Sequence, residues 1–245
     1  MNIAAEAKVC YGMNYSFKRG VPMSVKKIIY KTLYICAAFL ALAVIIAEMS
    51  PQIEVFTLQK LCFSVLFIAI LVLAGEIRGS LEKSDEEKRR TVRGTLWVIF
   101  AFYLFYLIWL LFFDGSFDRI ASKTDFPTYI SLKTNFVPFV TIRRFLTNIS
   151  NKTYASSALF NLVGNILAFM PLGFFSPLLI KFLRKPWFFI PLLLVTLAAI
   201  EGLQLLLRVG SCDVDDLILN TLGAIIIYFL MKLPKARKIA QSLDS

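Results

Sequence analysis

Residues 94–113 read GTLWVIFAFYLFYLIWLLFF, twenty successive positions without one charged side chain. At 1.5 Å per helical residue this run is about 30 Å long, the thickness of a bilayer's hydrocarbon core. A helix that is apolar on every side belongs in lipid or in a large core. Working outward, five more runs approach that length, at 29–49, 55–75, 157–180, 186–207 and 214–231. With 245 residues, 58% of them hydrophobic, and a mean hydropathy of +0.71, the chain is too apolar for an ordinary soluble domain. The expected fold is all-α: a polytopic helical membrane protein of about six transmembrane helices plus an interfacial or re-entrant segment. Residues 1–93 are expected to hold a tail, an amino-terminal transmembrane hairpin and a basic loop. Residues 94–232 would form the main membrane domain, and 233–245 a second tail.

The first two spans are the weaker ones. Lys31 and Glu48 sit at the ends of one, and Glu54 and Lys60 near the start of the other, so these charges must snorkel to the interface. The span at 29–49 follows a basic tail without an A-x-A cleavage pattern, and is expected to stay as an uncleaved anchor. Cations then set the orientation. One side, made of the amino-terminal tail, the 76–93 loop, residues 181–185 and the tail from Lys232, collects 19 Lys and Arg against 8 on the other. The positive-inside bias puts both termini in the cytoplasm of a multi-pass cell-membrane protein, and the 114–156 segment and the 208–213 turn outside. If one of the weak spans does not cross, either the later spans or the amino terminus inverts.

Several function classes drop out. The excess of 27 Lys and Arg over 16 Asp and Glu lies in short blocks between apolar runs, so it forms no nucleic-acid face. The blocks after the last span and around Lys88–Arg93 read as topology determinants. Without histidine there is no imidazole base, no His-containing zinc site and no Ser-His or Cys-His pair. The cysteines, Cys10, Cys36, Cys62 and Cys212, show no CxxC spacing and read as apolar fillers. No cofactor or metal motif is present, and the sequons at Asn14, Asn148 and Asn151 are short enough to arise by chance.

Polar groups inside a hydrocarbon slab cost several kcal/mol unless paired or hydrated, so their positions are informative. They gather in the last three spans. Asn161 and Asn165 are one helical turn apart; Glu201, Gln204 and Arg208 recur at i, i+3 and i+7; Asp213, Asp216 and Asn220 repeat that spacing. In the expected orientation all three stripes meet near the outer surface. Arg208 is placed to pair with Asp213 or Asp216, which leaves three carboxylates facing one cation. Protonation, a bound cation or a polar ligand would relieve that imbalance. The spacings Gly164/Ala168 and Ala198/Gly202, with Gly223 and Ala224, are expected to admit close helix contacts. Pro171 is expected to kink the fourth span by freeing the Leu167 carbonyl.

At these residues the sequence resembles the VanZ-like family, named for a teicoplanin (glycopeptide) resistance factor. The matching stretches are NFVPFVTI (135–142), NLVGNILAFMPLGFFSPLL (161–179) and EGLQLLLRVGSCDVDDLILNTLGA (201–224), within a resemblance covering roughly 94–231. Cys212 departs from the aromatic or aliphatic residue expected before the first Asp. The resemblance implies a bacterial membrane protein connected with the cell envelope or with glycopeptide tolerance. It carries over Asn135, Pro138, Asn161, Asn165, Glu201, Gln204, Arg208, Asp213, Asp216 and Asn220 as motif residues without catalytic roles.

Residues 131–146 (SLKTNFVPFVTIRRFL) combine an apolar cluster with Lys133, Arg143 and Arg144, which suits a headgroup-level lid. An ordinary ectodomain loop fits the same composition. Three functions then compete. The first is binding of an anionic lipid-linked ligand, with membrane lipids and a lipid-linked cell-wall precursor as partners. The second is an intramembrane enzyme using Glu201 with Asp213 or Asp216 as acid and base, or a divalent cation held by all three. The third, a cation-coupled transporter, is weakened by the absence of a polar path through PWFFIPLLLVTLAA (186–199).

Overall fold

The computed structural model describes residues 21–49, 57–113, 125–149 and 155–244. Cys10, Asn14, Glu54 and Asn151 lie outside the described residues. Along the chain run α1 (Met23–Met49), α2 (Thr57–Gly79), α3 (Asp85–Phe112), α4 (Phe126–Lys133), β1 (Thr134–Asn135), α5 (Val140–Ile149) and α6 (Ala155–Leu179). A 3-10 turn (Lys181–Arg184), α7 (Pro186–Leu206), β2 (Cys212–Asp213), α8 (Val214–Leu230) and α9 (Pro234–Ser242) complete it. Five helices, α1, α2, α3, α6 and α7, are long and apolar enough to cross a membrane, and α8 with α9 makes a sixth, bent pair. This is an all-α polytopic membrane protein. The 131–146 segment is divided among α4, β1 and α5, and within the tail expected at 233–245 the chain instead forms α9, which turns 83° from α8.

The chain divides into two compact units, Met1–Thr95 and Leu96–Ser245. In the first, α1 packs on α2 through Ala37, Val44, Phe67, Leu71 and Ala74. A Cβ on Gly75 would lie 2.7 Å from the Thr95 hydroxyl, so this glycine lets the start of α3 approach. Apolar side chains such as Ile28, Phe39 and Val65 stay exposed, as lipid-facing side chains do.

In the second unit the central contact is α6 against α8. Lipid tails are as apolar as leucine, so such pairs gain mainly by backbone approach at small residues. Those residues are not Gly164 and Gly202, which face open space. They are Gly173, where a Cβ would fall 2.0 Å from the Ala224 carbonyl oxygen, and Gly223, where it would fall 2.0 Å from that of Ile166. Asn165, Phe169 and Gly173 follow at one-turn steps on α6, and this is the stripe α8 covers. Helix α6 is unbroken through Pro171 and Pro177, with the Tyr103 hydroxyl donating to the Ala168 carbonyl at 2.7 Å.

Beyond this pair, the Phe189 and Tyr228 rings stack at 4.1 Å within a core that includes Phe169, Leu193 and Leu197. At the end of α6, Arg184 donates to the Pro177 carbonyl at 2.8 Å and the Ala240 carbonyl at 2.9 Å, and pairs with Asp244. One guanidinium thereby ties α9 to α6. Gly173→Ala and Gly223→Ala should each destabilise the protein by about 1–3 kcal/mol, the usual cost of overpacking. Gly164→Ala and Gly202→Ala should be neutral or mildly stabilising. Thermal unfolding in detergent compares the two pairs.

Candidate functional site

The turn between α7 and α8 runs through Arg208, whose φ of 55° takes the chain out of helical geometry. It ends in Cys212 and Asp213, which lie parallel to Thr134 and Asn135 in a two-residue ladder. Here two distant motifs are joined. Asn135 donates to Asp213 Oδ1 at 3.0 Å, the Thr141 hydroxyl donates to Asp213 Oδ2 at 2.6 Å, and the Asp215 amide donates to Oδ1 at 2.9 Å. Asp213 is therefore the N-cap of α8 as well as the anchor of the 135–141 loop. Its own N–H donates to Glu201 Oε2 at 3.2 Å.

Beside it, Asp215 is fully enclosed, at 0% exposure. Its carboxylate accepts the backbone N–H groups of Phe139 (2.5 Å), Thr141 (2.7 Å) and Ile142 (3.0 Å). The first amides of α5 have no partner within their helix, and a carboxylate from α8 satisfies them. Phe139 is held at φ 67°, a left-handed conformation rarely adopted by an aromatic residue and costing on the order of 1–3 kcal/mol. Pro138 before it removes one more backbone donor, and the Val137 amide bonds to Asn135 Oδ1 at 3.1 Å. The loop is thus fixed from beneath while its apolar side chains point outward: Phe136 is 72% exposed, with Val137 and Phe139 beside it.

A profile for VanZ/LLP1 matches residues 100–235. The chain belongs to this family. That stretch holds all three motifs, and in the VanZ/LLP1 fold seen here they converge at one end of α6, α7 and α8. Among curated proteins and among solved structures, no match reaches significance.

Of the residues singled out from sequence, the VanZ/LLP1 domain brings Asn135, Asn165, Glu201, Asp213 and Asp216 together. Asn165 donates to Asp216, and Glu201 is buried within electrostatic reach of Asp216 and Asp213. Asn220 lies one turn further along α8, 4% exposed, and its amide oxygen has no hydrogen-bond partner among the described residues. Others go elsewhere. Gln204 donates to the Leu111 carbonyl at 2.9 Å at the end of α3, and Asn161 is exposed, with no hydrogen bond among the described residues joining it to the cluster.

The expected ion pair of Arg208 with Asp213 or Asp216 is also replaced. Because α7 ends at Leu206, Arg208 is off the Glu201 face, and its guanidinium lies 5.2 Å and 5.4 Å from the ring centroids of Phe126 and Tyr129. The Tyr129 hydroxyl in turn donates to the Gly210 carbonyl at 2.7 Å. Nor is the carboxylate set a cation cage: among the described residues no three acidic or cysteine side chains are grouped to hold a metal ion. Both Asp213 oxygens are already engaged.

Sequence reasoning missed Asp215 and Thr141. A helical stripe drawn through Asp213, Asp216 and Asn220 passes beside Asp215, although the DVDD run made it visible. Thr141 stands inside a quoted motif, but only the ladder shows that its hydroxyl meets a carboxylate.

The cluster's negative charge is felt by Cys212. Burial pushes its thiol pKa upward, and Glu201 and Asp213 add to the rise, so less thiolate is present at neutral pH. In a background lacking the other cysteines, Cys212 should alkylate with maleimide more slowly than a free thiol at pH 7. Its rate should climb as pH approaches the raised value, and Glu201→Gln should accelerate it. Asp215→Ala leaves three backbone donors without their acceptor and should cost about 3 kcal/mol or more, while Asp215→Asn, keeping one oxygen, should cost less. Thermal unfolding and protease cleavage between residues 134 and 141 read out both.

Proposed function

We propose that this VanZ/LLP1 protein binds a lipid-linked envelope ligand where α6, α7 and α8 meet, and that this lowers sensitivity to teicoplanin-type glycopeptides. The observation that carries the reading is an excess of acceptors at one place. Glu201 takes one backbone donor, Asp216 takes one amide, and the Asn220 oxygen takes none among the described residues. Carboxylates offer acceptor positions only, so a complementary ligand brings hydroxyl or ammonium donors, as sugars and amino sugars do.

The surroundings support the same ligand class. Phe136, Val137 and Phe139 form an apolar lip beside the exposed Arg143 and Arg144 of α5, a composition suited to the headgroup boundary and to lipid phosphate. With both termini assigned to the cytoplasm by the cation asymmetry, this end of the bundle faces outward, where the envelope target of a glycopeptide is exposed. The link to antibiotic tolerance is what the resemblance to the VanZ-like family, named for a teicoplanin resistance factor, implies. The buried Glu201 carboxylate stands in the same cluster as Asp216, which supports a second reading, in which one acts as acid and the other as base on the same ligand.

Expression in a teicoplanin-sensitive bacterial host tests the proposal. Wild type should raise the inhibitory concentration; Glu201→Gln and Asp216→Asn should return it to the vector level with membrane abundance unchanged. Full resistance in both variants would refute it. Accumulation of an altered envelope lipid in wild type, absent from Asp216→Asn, would select the enzymatic reading.

A further inference from the structure

The opposite end of α7 and α8 carries a second arrangement of polar groups, unrelated to the carboxylates. A cavity of about 330 Å³ lies between the Lys181–Arg184 turn, the start of α7, the end of α8 and α9. That volume is in the range of small-molecule sites. Its wall includes Arg184, Lys185, Lys232 and Arg237, together with Trp187 and Tyr228, and contains no carboxylate. Nearby, Asp244 is engaged by Arg184 and lies 3.9 Å from Lys181.

We propose that this cavity is a binding site for a phosphate-bearing anion, with Lys185, Lys232 and Arg237 as its cationic contacts. Arg184 has a separate task, since its donors are spent on the Pro177, Leu178 and Ala240 carbonyls and on Asp244. Lys232 is fixed in place: its ammonium donates to the Arg184 carbonyl at 2.6 Å and sits 5.1 Å over the Tyr228 ring. Burial and the neighbouring Arg237 both lower its pKa, so an anion in the cavity would relieve crowding among like charges. The start of α7 adds little beyond the Trp187 amide, because Pro186 has no N–H and the Phe188 and Phe189 amides donate to the Lys185 carbonyl at 3.0 and 3.1 Å, so the cationic side chains carry the site.

Depth argues for a phospholipid headgroup as one source of this anion. The cavity is at the level where α7 begins and α8 ends, and α9 runs across that end at 83°. Trp187 is 71% exposed beside Phe182 and Phe188, an aromatic belt of the kind that sits at headgroup level. Basic pockets at this level hold anionic lipids. A free phosphate compound offers the same chemistry from the aqueous side.

The full chain in detergent, equilibrated with equal amounts of phosphatidylglycerol and phosphatidylcholine, is read by native mass spectrometry. A parallel arm follows thermal unfolding against inorganic phosphate without lipid. Phosphatidylglycerol should be retained in preference to phosphatidylcholine. Lys185→Gln with Arg237→Gln should weaken that retention on the order of 25-fold, from roughly fivefold per cation. Lys235→Gln with Lys238→Gln, which removes the same charge from α9 outside the cavity, should leave it intact. Stabilisation by phosphate that only the first pair abolishes, without lipid selectivity, would assign the site to a free phosphate compound. No preference and no phosphate effect, or equal weakening by both pairs, would overturn the proposal.

Discussion

The Asp215 carboxylate, enclosed and holding three main-chain N–H groups, is the contact on which the polar end of the second unit depends. Burying an anion is costly unless its acceptor positions are filled, and here they are filled by the first turn of another helix. The bargain is mutual. Helix α5 has amides that need an acceptor, Asp215 has oxygens that need donors, and neither finds its partner within its own element. Asp213 repeats the logic with side chains, taking Asn135 and Thr141 on its two oxygens. Together they fix a short loop whose outward face is apolar and whose buried backbone donors would otherwise lack acceptors.

This division of labour separates the acidic residues by role. Asp213 and Asp215 have their acceptor positions occupied by the protein and serve to hold the loop. Glu201 and Asp216 have fewer protein donors and stand on helix faces that point into the junction of α6, α7 and α8. In the proposed reading, contact with a ligand falls to them and to Asn220. Helix α8, which bears Asp216 and Asn220, is kept in register with α6 by close backbone contact at Gly173 and Gly223, so the spacing between Asn165 and Asp216 is set by glycine.

The spans were legible because a bilayer imposes a length and a composition, and 94–113 meets both without exception. The residue types of the polar cluster were legible for a related reason: Glu201, Asp216 and Asn165 are out of place in apolar runs. Their partners were harder to see. A helical stripe presumes that the helix extends to every member, yet α7 stops at Leu206 and α8 starts at Val214, so Arg208 and Asp213 answer to turn geometry instead. Small residues at four-residue spacing mark a surface that permits close packing without saying whether a neighbour uses it. Gly164 and Gly202 have the pattern and no neighbour, while Gly173 and Gly223 have backbone within 2.0 Å of a would-be Cβ.

The three amides that Asp215 receives come from residues 73 to 76 positions earlier in the chain. During synthesis, therefore, the 135–142 segment emerges long before its acceptor exists, with α6 and α7 still to be made. Its main-chain donors must stay hydrated until α8 arrives. Settling of this loop is thus tied to arrival of the last apolar helix, and a chain that ended before residue 215 would carry an unclosed end whatever the quality of its earlier spans.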